Sequence, residues 1–206
     1  MKKPVKRPGL ILASKSPRRR YLLEQAGLEF SVVPSEFDES SVTLSAPEIY
    51  VRCLAESKAQ DISQKYADSW IIGADTIVLI NNTILGKPAS GEEARLMLKS
   101  LSDRTHQVLT GYCICHKNNA YFFSETVTTD VRFKKLTQEE IDWYIRSGEP
   151  FDKAGAYAIQ GLGTFLVKRI NGSYTNVVGL PVCEVLEYLI KHGVVALTKK
   201  NAETDL

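Results

Sequence analysis

The sequence predicts a mixed α/β or α+β fold, and three observations support that prediction. Strand and helix patterns alternate from the start of the chain. The segment from Trp70 to Ile80 is apolar on both faces, which is typical of a strand in the middle of a sheet. The 206 residues contain no internal repeat and no low-complexity linker, so they suit one large domain or two lobes around a shared sheet.

In the first half of the chain, apolar runs alternate with signals for helix starts and ends. Ser16 is a suitable N-cap for a helix whose first residue is Pro17, and Gly27 is suited to end that helix. Asn81 and Asn82 follow the central strand and favour a tight turn. The predicted elements are, in order, a strand at 10–13, a helix between 17 and 27, a strand at 30–33, an amphipathic helix from 47 to about 66 and a strand at 70–80.

The second half contains two Ser/Thr-x-x-Glu patterns, which are capping boxes that mark the start of a helix. Ser90 and Thr137 are the cap residues of these boxes. A turn-forming cluster at 117–119 separates two strand patterns and predicts a long antiparallel hairpin. The predicted elements are a helix from 90 to about 100, strands at 107–115 and 121–133, a helix from 137 to about 148, a strand at 165–170 and a helix from 181 to 193.

Charge and hydropathy argue against several kinds of partner. A net charge of +2 is too small for field strength alone to indicate a nucleic-acid or membrane partner. No segment approaches the roughly 20 apolar residues of a membrane-spanning helix. Residues 1–8 form a basic end without the apolar core of a signal peptide, and residues 196–206 form a polar tail. We therefore expect a cytoplasmic protein that binds neither membranes nor nucleic acids.

The four cysteines do not form a zinc-binding pattern. None belongs to a C-x-x-C pair, and three lie in strongly apolar segments, so buried reduced thiols are the favoured interpretation. Cys113 and Cys115 share one face of a strand, but the three histidines show no ligand spacing that would complete a zinc site. We expect no zinc in this protein.

Residues 14–19 (SKSPRR) lie where the first strand gives way to a helix. Free main-chain N–H groups at a helix start and arginine side chains are both good ligands for phosphate. The segment lacks the glycines of a P-loop, and no G-x-G-x-x-G dinucleotide motif follows the strand. On sequence alone, a polyphosphate-binding site and an ordinary capped helix with a solvated basic face explain the segment equally well.

Asp75 lies in the middle of the most apolar predicted strand. An unpaired carboxylate there would cost several kcal/mol in lost hydration, so some partner must compensate it. The structural candidates are an arginine or main-chain amides, and the functional candidates are a divalent metal ion or a reacting water molecule. Gly73 and Ala74 permit close approach of another backbone or a ligand, which favours the functional interpretation.

Two lysines and three acidic residues are candidates to complete such a site. Lys58 lies on the long amphipathic helix, and Lys87 lies in a turn flanked by glycine and proline. Each is either a surface lysine or a donor that stabilises charge on a triphosphate. Glu36, Asp38 and Glu39 follow the second strand, where they either supply a metal ligand or solvate a loop.

The segment 152–163 is punctuated by glycines and yet apolar, which suits a backbone that closely approaches a flat ligand. Gln160 is the polar residue of interest in this segment. Its side-chain amide offers a donor and an acceptor that match N3–H and a carbonyl of uracil or thymine. The alternative is a glutamine that bonds only to the loop backbone.

Four motifs occur together in a fixed order. They are Ala13-Ser14-Lys15-Ser16-Pro17-Arg18-Arg19, Gly73-Ala74-Asp75-Thr76, Gly86-Lys87-Pro88, and Asp152-Lys153-Ala154-Gly155-Ala156-Tyr157 with Ile159-Gln160-Gly161. In order and spacing they closely resemble the Maf family of nucleotide pyrophosphatases, and the resemblance runs from about Leu10 to Ile190. It implies a single domain at 9–195 with tails at 1–8 and 196–206.

The resemblance also implies an architecture and a set of site residues. The implied fold is an elongated mixed sheet flanked by helices, with two lobes and a central cleft, as in inosine-triphosphate pyrophosphatases, and the implied assembly is a homodimer. The implied roles are Asp75 for catalysis, Arg18, Thr76 and Gln160 for base choice, Ser14, Arg18, Arg19, Lys58 and Lys87 for phosphate binding, and Asp75 with Asp38 for metal binding. The Arg-Thr-Gln combination resembles the dTTP/UTP subfamily, whereas the 7-methyl-GTP subfamily carries Trp, Gln and Glu.

The expected activity is therefore hydrolysis of dTTP and UTP to monophosphate and pyrophosphate, a house-cleaning role, with modified pyrimidine nucleotides as alternative substrates. In the expected mechanism, Mg²⁺ or Mn²⁺ held by Asp75 and Asp38 lowers the pKa of a water that attacks the α-phosphorus. A rival interpretation is a non-enzymatic inhibitor of septum formation that binds a partner or nucleic acid. The near-neutral net charge and the buried Asp75 count against that rival.

Overall fold

A computed structural model of the protein describes residues 9–196. The predicted tails at 1–8 and 196–206 therefore lie outside the described residues, apart from Ala196. The strands are β1 (Leu10–Leu12), β2 (Ser31–Val32), β3 (Trp70–Ile80), β4 (Thr83–Leu85), β5 (Thr105–His116), β6 (Tyr121–Phe133) and β7 (Val167–Asn171). The helices are α1 (Pro17–Gln25), α2 (Pro47–Lys65), α3 (Gly91–Leu101), α4 (Gln138–Arg146), α5 (Tyr174–Val178) and α6 (Val182–Lys191). Four short 3₁₀ turns occupy Glu39–Ser41, Glu149–Asp152, Ala154–Ala156 and Gly161–Leu166.

The seven strands form one mixed sheet in the order β2-β1-β3-β5-β6-β7, with β4 paired to the end of β3. β1 runs parallel to both β2 and β3, and the pairs β3–β4, β3–β5, β5–β6 and β6–β7 are antiparallel. β3 is buried along most of its length because it lies in the interior of the sheet and carries helices on both faces. The predicted mixed sheet flanked by helices is confirmed.

The helices divide between the two faces of the sheet. On one face, α2 packs on Ile71, Ile77 and Leu79 of β3 through Val51, Ala55, Ala59 and Ile62. On the other face, α1 and α6 pack on Ile72 and Ala74, and α3 and α4 pack on Val78 and Ile80. Successive residues of β3 therefore point into different hydrophobic layers, as strand geometry requires.

Two glycines set how closely α2 approaches the sheet. A Cβ atom added at Gly73 on β3 would lie 2.3 Å from the carbonyl oxygen of Ala55, and one at Gly111 on β5 would lie 2.4 Å from that of Val51. Both distances are far below any van der Waals contact, so α2 rests on the bare backbone of the two central strands. The close approach expected at Gly73 is thus made by a helix backbone, and it fixes the height of Lys58 above the sheet.

The helix caps follow the sequence closely. The Ser16 hydroxyl accepts a hydrogen bond from the Arg19 amide at 3.4 Å, and Thr137 with Glu140 forms a complete capping box. At the Ser90 box, the Glu93 amide donates to the Ser90 hydroxyl at 3.1 Å. The Glu93 carboxylate accepts a hydrogen bond from the Ala89 amide at 2.7 Å, and not from the Ser90 amide as a complete capping box would require.

Two local predictions are corrected. β7 begins at Val167 and not at residue 165, because the residues before it form a 3₁₀ turn. The five-residue helix α5 was not predicted, since so short a segment carries no readable period. Within residues 9–196, none of the helices is long and apolar enough to span a bilayer.

Candidate active site

A gap along one edge of β3 forms the candidate site. β1 pairs with β3 only at Trp70–Ile72, and β4 pairs with it only at Val78–Ile80, so the residues between them have no partner from β1 or β4. The gap opens into a cleft of about 740 Å³. Asp75 and Thr76 lie in the gap and both line the cleft, with their side chains starting on opposite faces of the sheet.

Eight of the nine residues implied by the family resemblance line this cleft. The eight are Ser14, Arg18, Arg19, Lys58, Asp75, Thr76, Lys87 and Gln160. They come from the end of β1, from α1, α2 and β3, from the turn after β4 and from the segment before β7. The fold therefore gathers residues that are up to 146 positions apart in sequence, from Ser14 to Gln160, around one opening. Asp38 is the residue that does not line it.

Asp75 is compensated by a lysine. Lys58 Nζ lies 2.6 Å from Asp75 Oδ1 and 2.8 Å from Oε1 of Glu39. The side chains of Lys58 and Asp75 are 12% and 14% exposed, so this ion pair is largely withdrawn from water. The sequence suggested an arginine, main-chain amides, a metal ion or water as the partner of Asp75. The protein partner in the structure is Lys58, held opposite β3 by the close packing of α2.

Arg19 is buried beneath the opposite side of the cleft. Its Nε donates to the carbonyl oxygen of Gly179 at 2.7 Å, Nη1 donates to Ser14 Oγ at 3.1 Å, and Nη2 donates to Thr76 Oγ1 at 3.0 Å. These acceptors are all uncharged, and no carboxylate forms an ion pair with Arg19 within residues 9–196. Burial lowers the pKa of Arg19, because its positive charge has lost hydration and the nearby carboxylates of Asp75 and Glu39 offset only part of that loss. An anion bound in the cleft would supply that compensation.

Thr76 belongs to a hydroxyl chain behind the cleft. Besides accepting from Arg19, its Oγ1 lies 2.9 Å from Thr110 Oγ1, and Thr110 donates to the main-chain carbonyl of Asn176 at 3.1 Å. Asn176 is fully buried and donates to Val108 O and to Thr129 Oγ1. This series of hydrogen bonds connects α5 and the Gly179 carbonyl to the centre of the sheet. It therefore fixes the position of the Arg19 guanidinium.

Arg18 forms a pair across the cleft with Asp152. Nη1 of Arg18 donates to Asp152 Oδ2 at 2.9 Å, and Nη2 donates to the main-chain carbonyl of the same residue at 3.4 Å. Burial acts to raise the pKa of Asp152, but the hydrogen bonds from Lys153 and Arg18 lower it to about 2. Asp152 therefore stays ionised at neutral pH and holds Arg18 at the mouth of the cleft.

The segment that carries Gln160 is anchored on both sides. The Ala158 amide donates to the Tyr144 hydroxyl at 3.2 Å, and the amides of Leu162 and Gly163 each donate to the Glu149 carboxylate at 3.0 Å. Gln160 lies half-buried between these anchors and lines the cleft. Its side chain makes no hydrogen bond to any residue that the structure describes, so it is free to bond to a ligand.

Lys87 follows β4 and lines the cleft. The Gly155 amide donates to the Gly86 carbonyl at 3.0 Å, which links the turn of Lys87 to the glycine-rich segment. Gly155 adopts a left-handed conformation with φ +67°, and a side chain there would press on Val78 at 3.0 Å. A glycine is thus required where the two segments meet, and it keeps Lys87 beside the cleft.

The acidic residues after β2 differ in position. The Asp38 carboxylate caps the following 3₁₀ turn, accepting from the Ser40 amide at 3.0 Å and from the Ser40 hydroxyl at 2.7 Å. Glu36 and Glu39 line the cleft. Of the three candidates left open on sequence, Glu39 is the one joined through Lys58 to Asp75, whereas the Asp38 carboxylate is bonded to Ser40.

One residue of the cleft had no role in the sequence-based prediction. The sequence places Asp152 within a motif and gives it no role of its own. A signal for it existed, since Asp152 is the single acid in the glycine-punctuated segment 152–163. What the sequence could not provide was its partner, which lies 134 residues earlier in the chain.

Fold and cleft together define a mixed α/β protein with a cation-lined site at a break in its central sheet. The chain belongs to the Maf-like protein family, whose model matches residues 9–192. It is 52% identical to a dTTP/UTP pyrophosphatase of Halalkalibacterium halodurans over 184 residues, which cover 89% of this chain and 96% of that protein. It is 49% identical to a dTTP/UTP pyrophosphatase of Syntrophotalea carbinolica over 191 residues, covering 92% and 87% of the two chains.

Similarity to solved structures is more distant. A HAM1 protein from Coxiella burnetii aligns with a TM-score of 0.45 at 16% identity, over 64% of this chain and 75% of that one. This similarity is too low to support a statement about the site.

Proposed function

We propose that this protein is a nucleoside triphosphate pyrophosphatase that hydrolyses dTTP and UTP to the monophosphate and pyrophosphate. The single observation that carries the proposal is the ion pair of Lys58 with Asp75 in a cleft that also contains buried Arg19, whose charge has no ion-pair partner among the described residues. Relatives at 52% and 49% identity that carry the name dTTP/UTP pyrophosphatase support the substrate assignment.

Asp75 is the residue placed to act as a general base. Lys58 occupies its Oδ1, and Oδ2 has no hydrogen-bond partner among the residues that the structure describes. In the proposed reaction, this free oxygen accepts a proton from the water that attacks the α-phosphorus. The bond from the α-phosphorus to the bridging oxygen then breaks, and pyrophosphate leaves with the bonding electron pair.

The cations of the cleft are placed to stabilise the charge that grows on pyrophosphate. Arg19 is positioned before the substrate arrives by three hydrogen bonds to the protein, so it needs little reorganisation during the reaction. Lys87 and Lys58 also line the cleft, where Lys58 is shared with Asp75 and Glu39. Ser14 supports this set by fixing Nη1 of Arg19.

The acidic residues of the cleft fit a divalent cation that arrives with the nucleotide. No group of three or more metal-ligating side chains occurs in residues 9–196, so the protein has no preformed metal cage there. Mg²⁺ commonly binds through one or two carboxylates together with substrate phosphates, and Mn²⁺ accepts the same oxygen ligands. We propose that such an ion is held by Asp75, through a carboxylate lone pair used neither by Lys58 nor by the reacting water, together with a second acid, either Asp38 as the family resemblance implies or Glu39. When bound, the ion would polarise the phosphate oxygens and lower the pKa of the attacking water.

We propose that Gln160, Arg18 and Thr76 together set the choice of base, by different routes. Gln160 carries a free amide beside the cleft, and Arg18 is held at its mouth. Thr76 contacts Arg19 and not Arg18, so its influence would pass through the buried guanidinium. Modified pyrimidine nucleotides that keep the same hydrogen-bonding edge would be accepted by the same residues.

We also propose that the protein acts in the cytoplasm as a homodimer. The four cysteines form no disulfide, which suits a reducing compartment. The dimer follows from the family resemblance alone. Light scattering on the eluted protein would measure its mass in solution, and a mass of one chain at micromolar concentration would contradict the dimer.

A panel of nucleotides tests the proposed function. Wild-type protein would be incubated with dTTP, UTP, CTP, dATP and GTP, in Mg²⁺ and in Mn²⁺, and pyrophosphate release measured for each. We expect dTTP and UTP to give the highest kcat/KM, and EDTA to abolish turnover. Absence of pyrophosphate release from every nucleotide would reject an enzymatic role.

A further inference from the structure

The two-point contact between Arg18 and Asp152 bears on how uracil and thymine are distinguished from cytosine. These bases differ at position 4, where uracil and thymine carry a carbonyl oxygen and cytosine carries an amino group. A residue that selects between them must donate a hydrogen bond at that position and be unable to accept one. This inference rests on the function proposed above.

Gln160 alone does not meet that requirement. Its side-chain amide has both a donor and an acceptor end, and rotation by half a turn presents either one to the base. A flipped Gln160 would therefore satisfy the cytosine amino group as well as the uracil carbonyl. Arg18 lines the same cleft and carries donors only, so it does meet the requirement.

The donors of Arg18 are useful for base choice only if the guanidinium is held in one orientation. A free arginine at the mouth of the cleft would turn toward the more strongly charged phosphates, which any nucleoside triphosphate carries. Asp152 prevents this by engaging both terminal nitrogens, Nη1 through Oδ2 and Nη2 through its main-chain carbonyl. Two of the five N–H groups are used in this way, which leaves about three for a ligand.

We propose that Asp152 is a positioning residue for substrate choice. It holds Arg18 so that the remaining donors face the carbonyl oxygen at position 4 of uracil or thymine, and it keeps Arg18 from acting as a general phosphate ligand. In this assignment Arg19, Lys58 and Lys87 bind the phosphates, and Arg18 binds the base.

The stability of the fold depends little on this pair. The side chains of Arg18 and Asp152 are 26% and 60% exposed, and exposed ion pairs contribute little to folding. A variant at Asp152 should therefore remain folded, and its effect on substrate choice is measurable. Lys153 also bonds to Asp152, so the test must separate the effect through Arg18 from an effect through Lys153.

The test compares kcat/KM for UTP and CTP in wild type, Asp152→Asn, Asp152→Glu, Arg18→Gln and the double variant Asp152→Asn/Arg18→Gln. Asp152→Asn should lower the UTP to CTP ratio about tenfold, mainly by lowering kcat/KM for UTP, because an unfixed Arg18 no longer bonds reliably to the carbonyl oxygen at position 4. Asp152→Glu should restore part of the ratio. The double variant should match Arg18→Gln, since Asp152 has no effect on the ratio once Arg18 is gone.

A matched control is Asp103→Asn. Asp103 pairs with Arg132 at 2.6 Å, its side chain is also 60% exposed, and it lies outside the cleft lining. This variant should leave the UTP to CTP ratio unchanged. Equal losses for UTP and CTP in Asp152→Asn, or additive effects in the double variant, would overturn the inference while leaving the proposed function intact. A wild type without turnover of dTTP or UTP would overturn both.

Discussion

Lys58 and Asp75 face each other across the junction of α2 and β3, with Nζ 2.6 Å from Oδ1. The lysine also contacts Glu39 at 2.8 Å, so it keeps an anionic neighbour even without Asp75. The close contacts of Gly73 and Gly111 with the backbone of α2 set the distance of this helix from the sheet. The pair thus connects the packing of the core to the chemistry of the cleft.

Replacing Asp75 by Asn should abolish most of the activity and leave the fold intact. Asn keeps the shape of the side chain and can still accept a hydrogen bond from Lys58, but it cannot serve as a general base. We expect kcat for dTTP to fall by about 10²- to 10⁴-fold, with a thermal midpoint close to that of wild type. Asp130→Asn on β6, outside the cleft, is the control and should retain full turnover. Wild-type turnover in the Asp75 variant would reject the assignment.

Replacing Arg19 by Lys should weaken use of all nucleoside triphosphates. A lysine cannot bridge Gly179, Ser14 and Thr76 at once, so the buried charge would lose its fixed position. We expect kcat/KM to fall about 10- to 100-fold for dTTP and for GTP alike, which corresponds to one lost charge-assisted contact. Arg20→Lys is the neighbouring control, because within residues 9–196 Arg20 pairs only with Glu24 on the same exposed helix face. A similar loss in both variants would show that the effect is not specific to the cleft.

Replacing Gly111 by Ala should destabilise the protein. The new methyl group would lie 2.4 Å from the Val51 carbonyl oxygen, and α2 would have to move away from the sheet. Overpacking of this kind costs about 1–3 kcal/mol, occasionally more, and urea unfolding would measure it. At Gly91 an added Cβ would make an ordinary 3.5 Å contact with Ile145, so Gly91→Ala is the control. Equal stability of wild type and Gly111→Ala would contradict the described helix contact.

The stability of the protein should fall in mild acid because of His106. This side chain is 2% exposed, its Nε2 lies 2.7 Å from the Tyr157 hydroxyl, and burial lowers the pKa of His106 to about 4. The unfolded chain binds a proton near pH 6.5, so between these values the unfolded state holds more protons than the folded state. The contribution of His106 to the free energy of unfolding should drop by about 3 kcal/mol as the pH falls from 7 to 4.

The variant His106→Gln isolates that contribution. Glutamine does not titrate, so the pH dependence of its unfolding free energy should be flatter than that of wild type over the same range. Urea titrations of both proteins at several pH values would provide the comparison. Parallel curves for the two proteins would show that His106 does not charge on unfolding.

Local signals allowed much of the fold to be predicted. The period of the apolar residues and the cap residues lie within each element, so β3, the β5–β6 hairpin and five of the six helices could be placed. The order of the strands could not, because the parallel pairing of β1 with both β2 and β3 depends on contacts between distant segments. The short helix α5 and the 3₁₀ turns have too few residues for a pattern.

The candidate site was likewise predictable only in part. The family resemblance, which rests on the motifs and their order, implied which side chains meet, and eight of the nine do line one cleft. The partners of those side chains were not predictable. The contact of Lys58 with Asp75 depends on the height of α2 above the sheet, and that of Arg18 with Asp152 joins residues 134 positions apart. Asp38 could not be told from Glu39 because a one-residue difference in a loop decides which carboxylate faces the cleft.

Hydrolysis of dTTP in H₂¹⁸O tests the central claim most directly. Attack of water at the α-phosphorus places the label in dTMP and leaves pyrophosphate unlabelled, and mass spectrometry or ³¹P NMR would read both products. The proposed role of Asp75 and the cation-lined cleft predicts one ¹⁸O atom in dTMP for each turnover. Formation of dTDP with labelled orthophosphate, or label in pyrophosphate, would contradict it.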